Sequence, residues 1–179
     1  MACEFLTKGV KAGLCADQMA GVKNVYFSIY SNFGFTIANN EVTSLGTLDS
    51  VYKFEMQGNT NALTETMTVS ENLTTQVEQV IALQFAGLSS ELQDELSKVL
   101  KHRSYAFLED KNGNIKLMGQ EFGVMGRSGT AVTGAAPTDL SGYTAELAAM
   151  EKGYAPFLSS TAKTALLAAV ESAYVGDGV

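Results

Sequence analysis

Residues 51–85 have the sequence VYKFEMQGNTNALTETMTVSENLTTQVEQVIALQF, which contains three short segments where apolar and polar side chains alternate. A period of two is typical of a β-strand, because successive side chains point to opposite faces of the sheet. Turn-forming residues separate the segments at 57–61 and 70–72. The stretch therefore predicts a long antiparallel meander with one apolar face and one face of Thr, Glu, Gln and Lys. We expect a core on the first face and water on the second.

The composition of the chain sets limits on its size and its partners. Its 179 residues, 46% of them hydrophobic, suffice for one domain with a substantial core. The net charge is −7, and affinity for nucleic acid comes largely from Lys and Arg on phosphates. Direct nucleic-acid binding is therefore not expected, although a surface that DNA passes without sticking stays compatible with this charge.

Further strands are predicted on both sides of the opening stretch. The strands and hairpins are expected at 24–30, 35–45, 104–109, 115–122, 130–133 and 143–150. Asn39-Asn40 and Asn112-Gly113 are placed at two hairpin turns, because such pairs tolerate the positive φ that a tight turn needs. The glycines between 123 and 138 indicate an irregular loop region around the short strand at 130–133.

Two helices complete the prediction. Ser89–Arg103 has serines for an N-cap and an apolar stripe at helical spacing, made by Leu92, Leu96, Val99 and Leu100. Residues 159–174 form an Ala-rich second helix. The order of elements excludes a βαβ fold and predicts a mainly β protein. We expect a β-sandwich or small barrel of two antiparallel sheets, with one flanking α-helix and a C-terminal helical extension.

Three regions follow from these elements. Residues 1–21 are interpreted as an N-terminal arm, 22–153 as the β domain, and 154–179 as the helical extension. Glu4, Lys8 and Lys11 interrupt any signal peptide, and no apolar run approaches ~20 residues, so no membrane segment is expected.

The residues with chemical potential do not form a convincing catalytic or metal site. His102 is interpreted as a helix-end residue that complements the dipole. Asp110, Asn112 and Asn114 imitate a calcium loop but lack its required glycine, so a hairpin turn is expected. Cys3 and Cys15 have no ligand partners nearby and are interpreted as free thiols.

The glutamates raise the question of a hydrolase. A carboxylate pair of the glycosidase kind is conceivable among Glu55, Glu65, Glu71 and Glu78, but the sequence cannot place two of them at the needed distance. Trp is absent. A solvated strand face is the simpler interpretation, and we expect no enzyme activity, no cofactor and no metal.

Two groups of motifs in this chain resemble phage tail tube proteins. One group consists of Gly129–Gly134, GTAVTG, and Asp139–Lys152, DLSGYTAELAAMEK. The other consists of Lys8–Gly13 and Gly21–Phe27 near the start. The resemblance covers about residues 8–152, and its most specific part is the DLSGY sequence that begins at Asp139.

This resemblance implies a fold similar to that of type VI secretion tube proteins, and a role as a virion structural protein. In the family, six copies form a ring, one sheet of each copy joins a continuous inner barrel, and the rings stack into a tube. The implied partners are further copies of the chain, other tail proteins and double-stranded DNA passing through during ejection. The implied location is the virion tail, after synthesis in the host cytoplasm. The residues expected to face the channel are Lys53, Glu55, Thr64, Thr66, Thr68, Glu78 and Gln84.

Other functions stay open at this point. A tube protein of a contractile injection or type VI secretion system would share the fold. A lipocalin-like barrel that binds a small apolar ligand would need a cavity rather than a filled core. Glu65 falls on the opposite phase of its strand, and we expect it near a strand end or an interface.

Overall fold

The computed structural model describes residues 8–10, 18–31, 34–48, 50–58 and 60–171. This part contains eleven strands and two helices. The strands are β1 (Val22–Ile29), β2 (Thr36–Ala38), β3 (Glu41–Ser44), β4 (Val51–Glu55), β5 (Ala62–Val69), β6 (Thr75–Ala86), β7 (Ser104–Asp110), β8 (Ile115–Met118), β9 (Met125–Val132), β10 (Gly142–Glu151) and β11 (Phe157–Leu158). The helices are α1 (Ser90–Lys101) and α2 (Ser160–Ala168).

The strands form two sheets. The seven-stranded sheet has the order β2-β3-β11-β8-β7-β1-β4, and the four-stranded sheet has the order β5-β6-β10-β9. Every pairing is antiparallel except that of β3 with β11. The prediction of a mainly β sandwich with a flanking helix is confirmed. The described strands do not close into a barrel.

The prediction of one continuous meander over residues 51–85 is wrong. β4 pairs with β1, with Phe54 opposite Val25, whereas β5 pairs with β6. The crossover between the sheets is held by Asn61, whose buried side chain donates to the Gln57 carbonyl and accepts the Gln84 N–H. Alternation specifies a strand, but the partner of a strand depends on such distant contacts.

The core has two parts, one on each face of the seven-stranded sheet. The first lies between the two sheets, where Phe54 makes edge contacts with Phe27 and Phe85 at centroid distances of 5.3 and 5.9 Å. The second lies on the far side of the seven-stranded sheet and includes Ala162 and Leu166 of α2. The C-terminal segment through Glu171 therefore packs on its own chain, with β11 joining that sheet.

Local features agree with the sequence at several points. The Leu92 N–H donates to the Ser89 side chain at 3.1 Å, so Ser89 is the N-cap of α1. Asn39 and Asn40 have φ values of 52° and 63° in the β2–β3 turn. The second helix is shorter than predicted and ends at Ala168, and Tyr174 lies outside the described residues.

The strand prediction fails in the glycine-containing region. β9 has eight residues rather than the four expected at 130–133, and α1 packs against it. A Cβ at Gly126 would lie 2.4 Å from the Leu100 carbonyl oxygen, and one at Gly129 would lie 2.6 Å from Leu100 Cδ1. These glycines therefore permit close approach of the helix rather than marking a loop. In addition, β8 ends at Met118, and β10 is not the last strand because β11 follows it.

Candidate assembly surface

The outward face of the four-stranded sheet is the polar surface that the sequence predicted in part. Ile81, Leu83 and Phe85 of β6 point into the first core, and Val77 is buried at the same phase of the strand. The alternate positions of these strands point outward, and the pairing register brings them side by side. Thr64, Thr66, Thr68, Glu78 and Gln84 all lie on this outward face.

The rest of the outward face consists mainly of short side chains. It is completed by Ala62, Gln76, Val80, Ala82 and Ala86 from β5 and β6, and by Met125, Ser128, Thr130, Val132, Gly142, Thr144, Glu146, Ala148 and Met150 from β9 and β10. Thr144 Oγ1 and Thr130 Oγ1 lie 3.0 Å apart across neighbouring strands. The surface thus consists mainly of hydroxyl, methyl and amide groups, together with the carboxylates of Glu78 and Glu146 and the exposed side chains of Met125 and Met150.

Lys53 and Glu55 do not belong to this face. Both lie on β4, the edge strand of the seven-stranded sheet, and their side chains form an ion pair at 2.5 Å. Their grouping with the five other residues followed from the single meander, and it fails because β4 and β5 lie in different sheets.

One arginine balances part of the charge of the outward face. Arg127 lies 2.9 Å from Glu78 Oε1 and 3.3 Å from Glu146 Oε1, and all three side chains are partly exposed. The outward positions of these four strands therefore carry an excess of one negative charge. The sequence did not point to Arg127, because it occupies an irregular point in the β9–β10 register, and register is not visible in one sequence.

The four-stranded sheet has two long open edges. β5 and β9 are its outermost strands, each of eight residues, and neither pairs with another strand on its outer side within the described part of the chain. Three antiparallel pairings separate them, so β5 and β9 run in opposite directions. An unpaired edge of this length is a template for pairing with another chain.

Glu65 lies on the core side of β5, as its phase predicted. Its carboxylate is 2.5 Å from Lys116 Nζ and accepts the Ala155 N–H at 2.6 Å. Its side chain is 10% exposed. The carboxylate thus joins the two sheets and the segment before β11.

A second carboxylate lies at the far end of β10. Glu151 is buried and accepts the N–H groups of Glu121 and Phe122 at 3.0 and 2.9 Å. Burial raises its pKa, and the nearby Glu121 charge adds to this, while the two N–H donors oppose it. Its role in this arrangement is structural, because the carboxylate holds the turn at Glu121 and Phe122 in place.

The remaining candidates are dispersed. Glu78 pairs with Arg127, Glu55 with Lys53 and Glu65 with Lys116, while Glu71 lies in the β5–β6 turn. His102 is the C-cap of α1, with Nδ1 2.9 Å from the Lys98 carbonyl oxygen.

The residues of the calcium-like motif form the β7–β8 turn. Asp110 Oδ1 accepts the N–H groups of Asn112 and Asn114 there. The part of the chain that the structure describes contains no cluster of three or more potential metal ligands. Cys3 and Cys15 lie outside it.

Comparison with known proteins adds no relative. No family model, curated protein or solved structure matches this chain. Among the described residues, no helix has the length and apolar content needed to cross a bilayer. The surface geometry and the sequence resemblance are therefore the observations from which a function can be proposed.

Proposed function

We propose that this protein is the subunit of a phage tail tube, a virion structural protein that self-assembles into stacked hexameric rings. The observation that carries the proposal is the four-stranded sheet, with its polar outward face of short side chains and its two open edges of equal length. The resemblance of residues 8–152 to tail tube proteins supports the same role independently of the sheet geometry.

The directions of the edge strands are compatible with the proposed ring. Rotation about an axis brings β9 of one copy beside β5 of the next. This contact is head-to-tail, and it gives a closed ring when the repeated rotations add up to a full turn. Because each copy contributes four strands in alternating directions, the new pairing is antiparallel like those within the sheet. Closure pairs every edge of the inner sheet and removes its tendency to aggregate.

The outward face of the sheet becomes the wall of the channel in this arrangement. Thr64, Thr66, Thr68, Glu78 and Gln84 are proposed to line it, while Lys53 and Glu55 are left out because they lie on the other sheet. Short polar groups with a small negative excess give DNA phosphates no cationic site to bind. The proposed role needs no cofactor, and the site we assign is one of passage rather than catalysis.

Electron microscopy of the purified protein tests this proposal directly. We expect rings or tubes with an open channel at high protein concentration. Thr66→Pro and Met67→Pro are made separately, since neighbouring N–H groups of a strand point to opposite sides and one of these two faces the open edge. The variant that loses the edge N–H should stay folded and fail to assemble.

The control is Ser90→Pro at the first residue of α1, where proline is tolerated. It should assemble like the wild type. Uniformly monomeric wild-type particles at all concentrations, or assembly of both β5 proline variants, would contradict the proposed function.

A further inference from the structure

The two open sides of the sandwich differ in a way that suggests how neighbouring copies fit together. Beside β9, the gap between the sheets is filled by α1, whose Leu92, Leu96 and Val99 pack against the first core. Beside β5, a groove of about 360 Å³ lies between the sheets. In the part of the chain that the structure describes, one side of the subunit is therefore closed by a helix, and the other is not.

The groove combines apolar walls with a charged rim. Its walls include Ala62 and Leu63 of β5, Leu108 of β7 and Phe157 of β11. Glu65, Asp110 and Lys116 also line it, giving an excess of one negative charge. A space of this volume holds several side chains, whereas a whole helix is about 10 Å across.

We propose that this groove receives side chains from α1 of the neighbouring copy. The inference rests on the proposed function, because it starts from β9 of one copy lying beside β5 of the next. α1 packs against β9 through Leu100, at Gly126 and Gly129. A seam between β9 and β5 therefore carries α1 to the side of the sandwich where the groove opens.

The side of α1 that reaches the groove can be identified. Gln93, Ser97 and Lys101 follow one another at intervals of four residues and so share one side of the helix. Gln93 and Lys101 are exposed and Ser97 is partly exposed, and Gln93 Oε1 lies 3.4 Å from the Tyr143 hydroxyl, at the border of the helix's own core. This side of the helix differs from the side of Leu92, Leu96 and Val99, which packs on the helix's own core.

The charge of α1 also complements that of the groove in the neighbouring copy. Lys98 is bound by Asp94 and Glu95 on its own helix, at 2.8 and 2.7 Å. Lys101, in the last turn, makes no ion pair among the described residues. Its ammonium group is suited to the acidic rim at Asp110 in the next copy, so the seam gains an ion pair as well as apolar burial.

Crosslinking between engineered cysteines tests the inference. In a chain carrying Cys3→Ser and Cys15→Ser, the groove pair is Ser97→Cys with Asn114→Cys, and the seam pair is Met125→Cys with Thr64→Cys. Met125 and Thr64 lie at the same level of the sheet through Ala148 and Val80, on strands about 14 Å apart within one copy. A short bis-maleimide followed by a denaturing gel reports contacts between copies. The matched control replaces Ser97→Cys with Glu95→Cys, which lies on the opposite side of the same helix.

Ladders of covalent multimers from both pairs, with the Glu95→Cys control reduced at least about tenfold, support the inference. A ladder from the seam pair without one from the groove pair overturns the inference and leaves the proposed function in place. Monomers from both pairs, from a protein that shows no assembly, overturn both.

Discussion

Burial of the Glu65 carboxylate lowers the stability of the fold, and its ion pair with Lys116 offsets this loss. The carboxylate is nearly buried between the sheets, and Lys116 Nζ at 2.5 Å is its cationic partner. Lys116→Met should lower the free energy of unfolding by about 1–3 kcal/mol, because it leaves a charged group largely buried and unpaired. Chemical denaturation measures this change.

The double variant Glu65→Gln/Lys116→Met separates the cost of the orphaned charge from lost packing. The amide oxygen of glutamine can still accept the Ala155 N–H, so most of the lost stability should return. Equal destabilisation of the single and double variants would show that the ion pair is not the cause.

Glu151 makes stability depend on pH with a sign opposite to that of most carboxylates. Burial raises the pKa of the Glu151 carboxyl above its ordinary value in the folded protein, so the folded protein binds this proton more readily than the unfolded chain. The free energy of unfolding is therefore higher at low pH, where the Glu151 carboxyl is protonated in the folded protein. It falls as the pH rises through the raised pKa of this carboxyl. Glu151→Gln should therefore become more stable relative to wild type as pH rises from 4 to 7, roughly the interval around an ordinary carboxyl pKa.

Thermal unfolding across this pH interval gives the comparison. Thr161→Ala, an exposed position of α2 that carries no titratable group, serves as the control and should keep a constant difference from wild type. A Glu151→Gln difference that does not change with pH would contradict the raised pKa.

At the scale of elements, the packing of α1 on β9 depends on two glycines to different extents. A Cβ at Gly126 would meet the Leu100 backbone oxygen, whereas a Cβ at Gly129 would meet the end of the Leu100 side chain. Gly126→Ala should therefore cost about 2–3 kcal/mol and Gly129→Ala less than about 1 kcal/mol, since a side chain moves more easily than backbone. Denaturant midpoints distinguish the two.

Leu100→Ala provides the matching test in a double-mutant cycle. It should relieve the strain of Gly129→Ala but only part of that of Gly126→Ala. A Cβ at Gly126 would meet the Leu100 backbone, at 2.4 and 2.7 Å, as well as the Leu100 side chain at 2.8 Å. Relief of both substitutions to the same extent would mean that the helix shifts as a unit.

The same elements show how far one sequence can predict this fold. Alternation and capping are local, so strands β1 to β8 and the start of α1 at Ser89 could be predicted from their own residues. The choice of a partner strand is not local. The chain crosses from one sheet to the other at Asn61, so β4 and β5 lie in different sheets. Alternation within β5 and β6 was therefore enough to predict that Thr64, Thr66, Thr68, Glu78 and Gln84 share one face. It could not place Lys53, Glu55 and Arg127, whose positions depend on strand pairing.

At the scale of the whole molecule, the assembly would multiply small features of one subunit by the number of copies in every ring. The outward face of one copy carries Glu78, Glu146 and Arg127 and is otherwise neutral. One added lysine per copy at position 66, opposite Glu78, would bring this face to zero net charge and place a ring of ammonium groups around the channel. We expect Thr66→Lys tubes to retain short duplex DNA at least about tenfold more tightly than wild type at low salt, with the difference lost as salt rises.

The control for this prediction is Thr161→Lys on the exposed surface of α2, far in the fold from the outward sheet face. It adds the same charge to each copy but none to the channel wall, and the proposed geometry therefore predicts weaker DNA retention than for Thr66→Lys. Filter binding of assembled tubes, with electron microscopy to show that both variants still assemble, compares the two at matched protein concentration. Equal DNA retention by the two variants would mean that the outward face of the sheet does not surround the DNA.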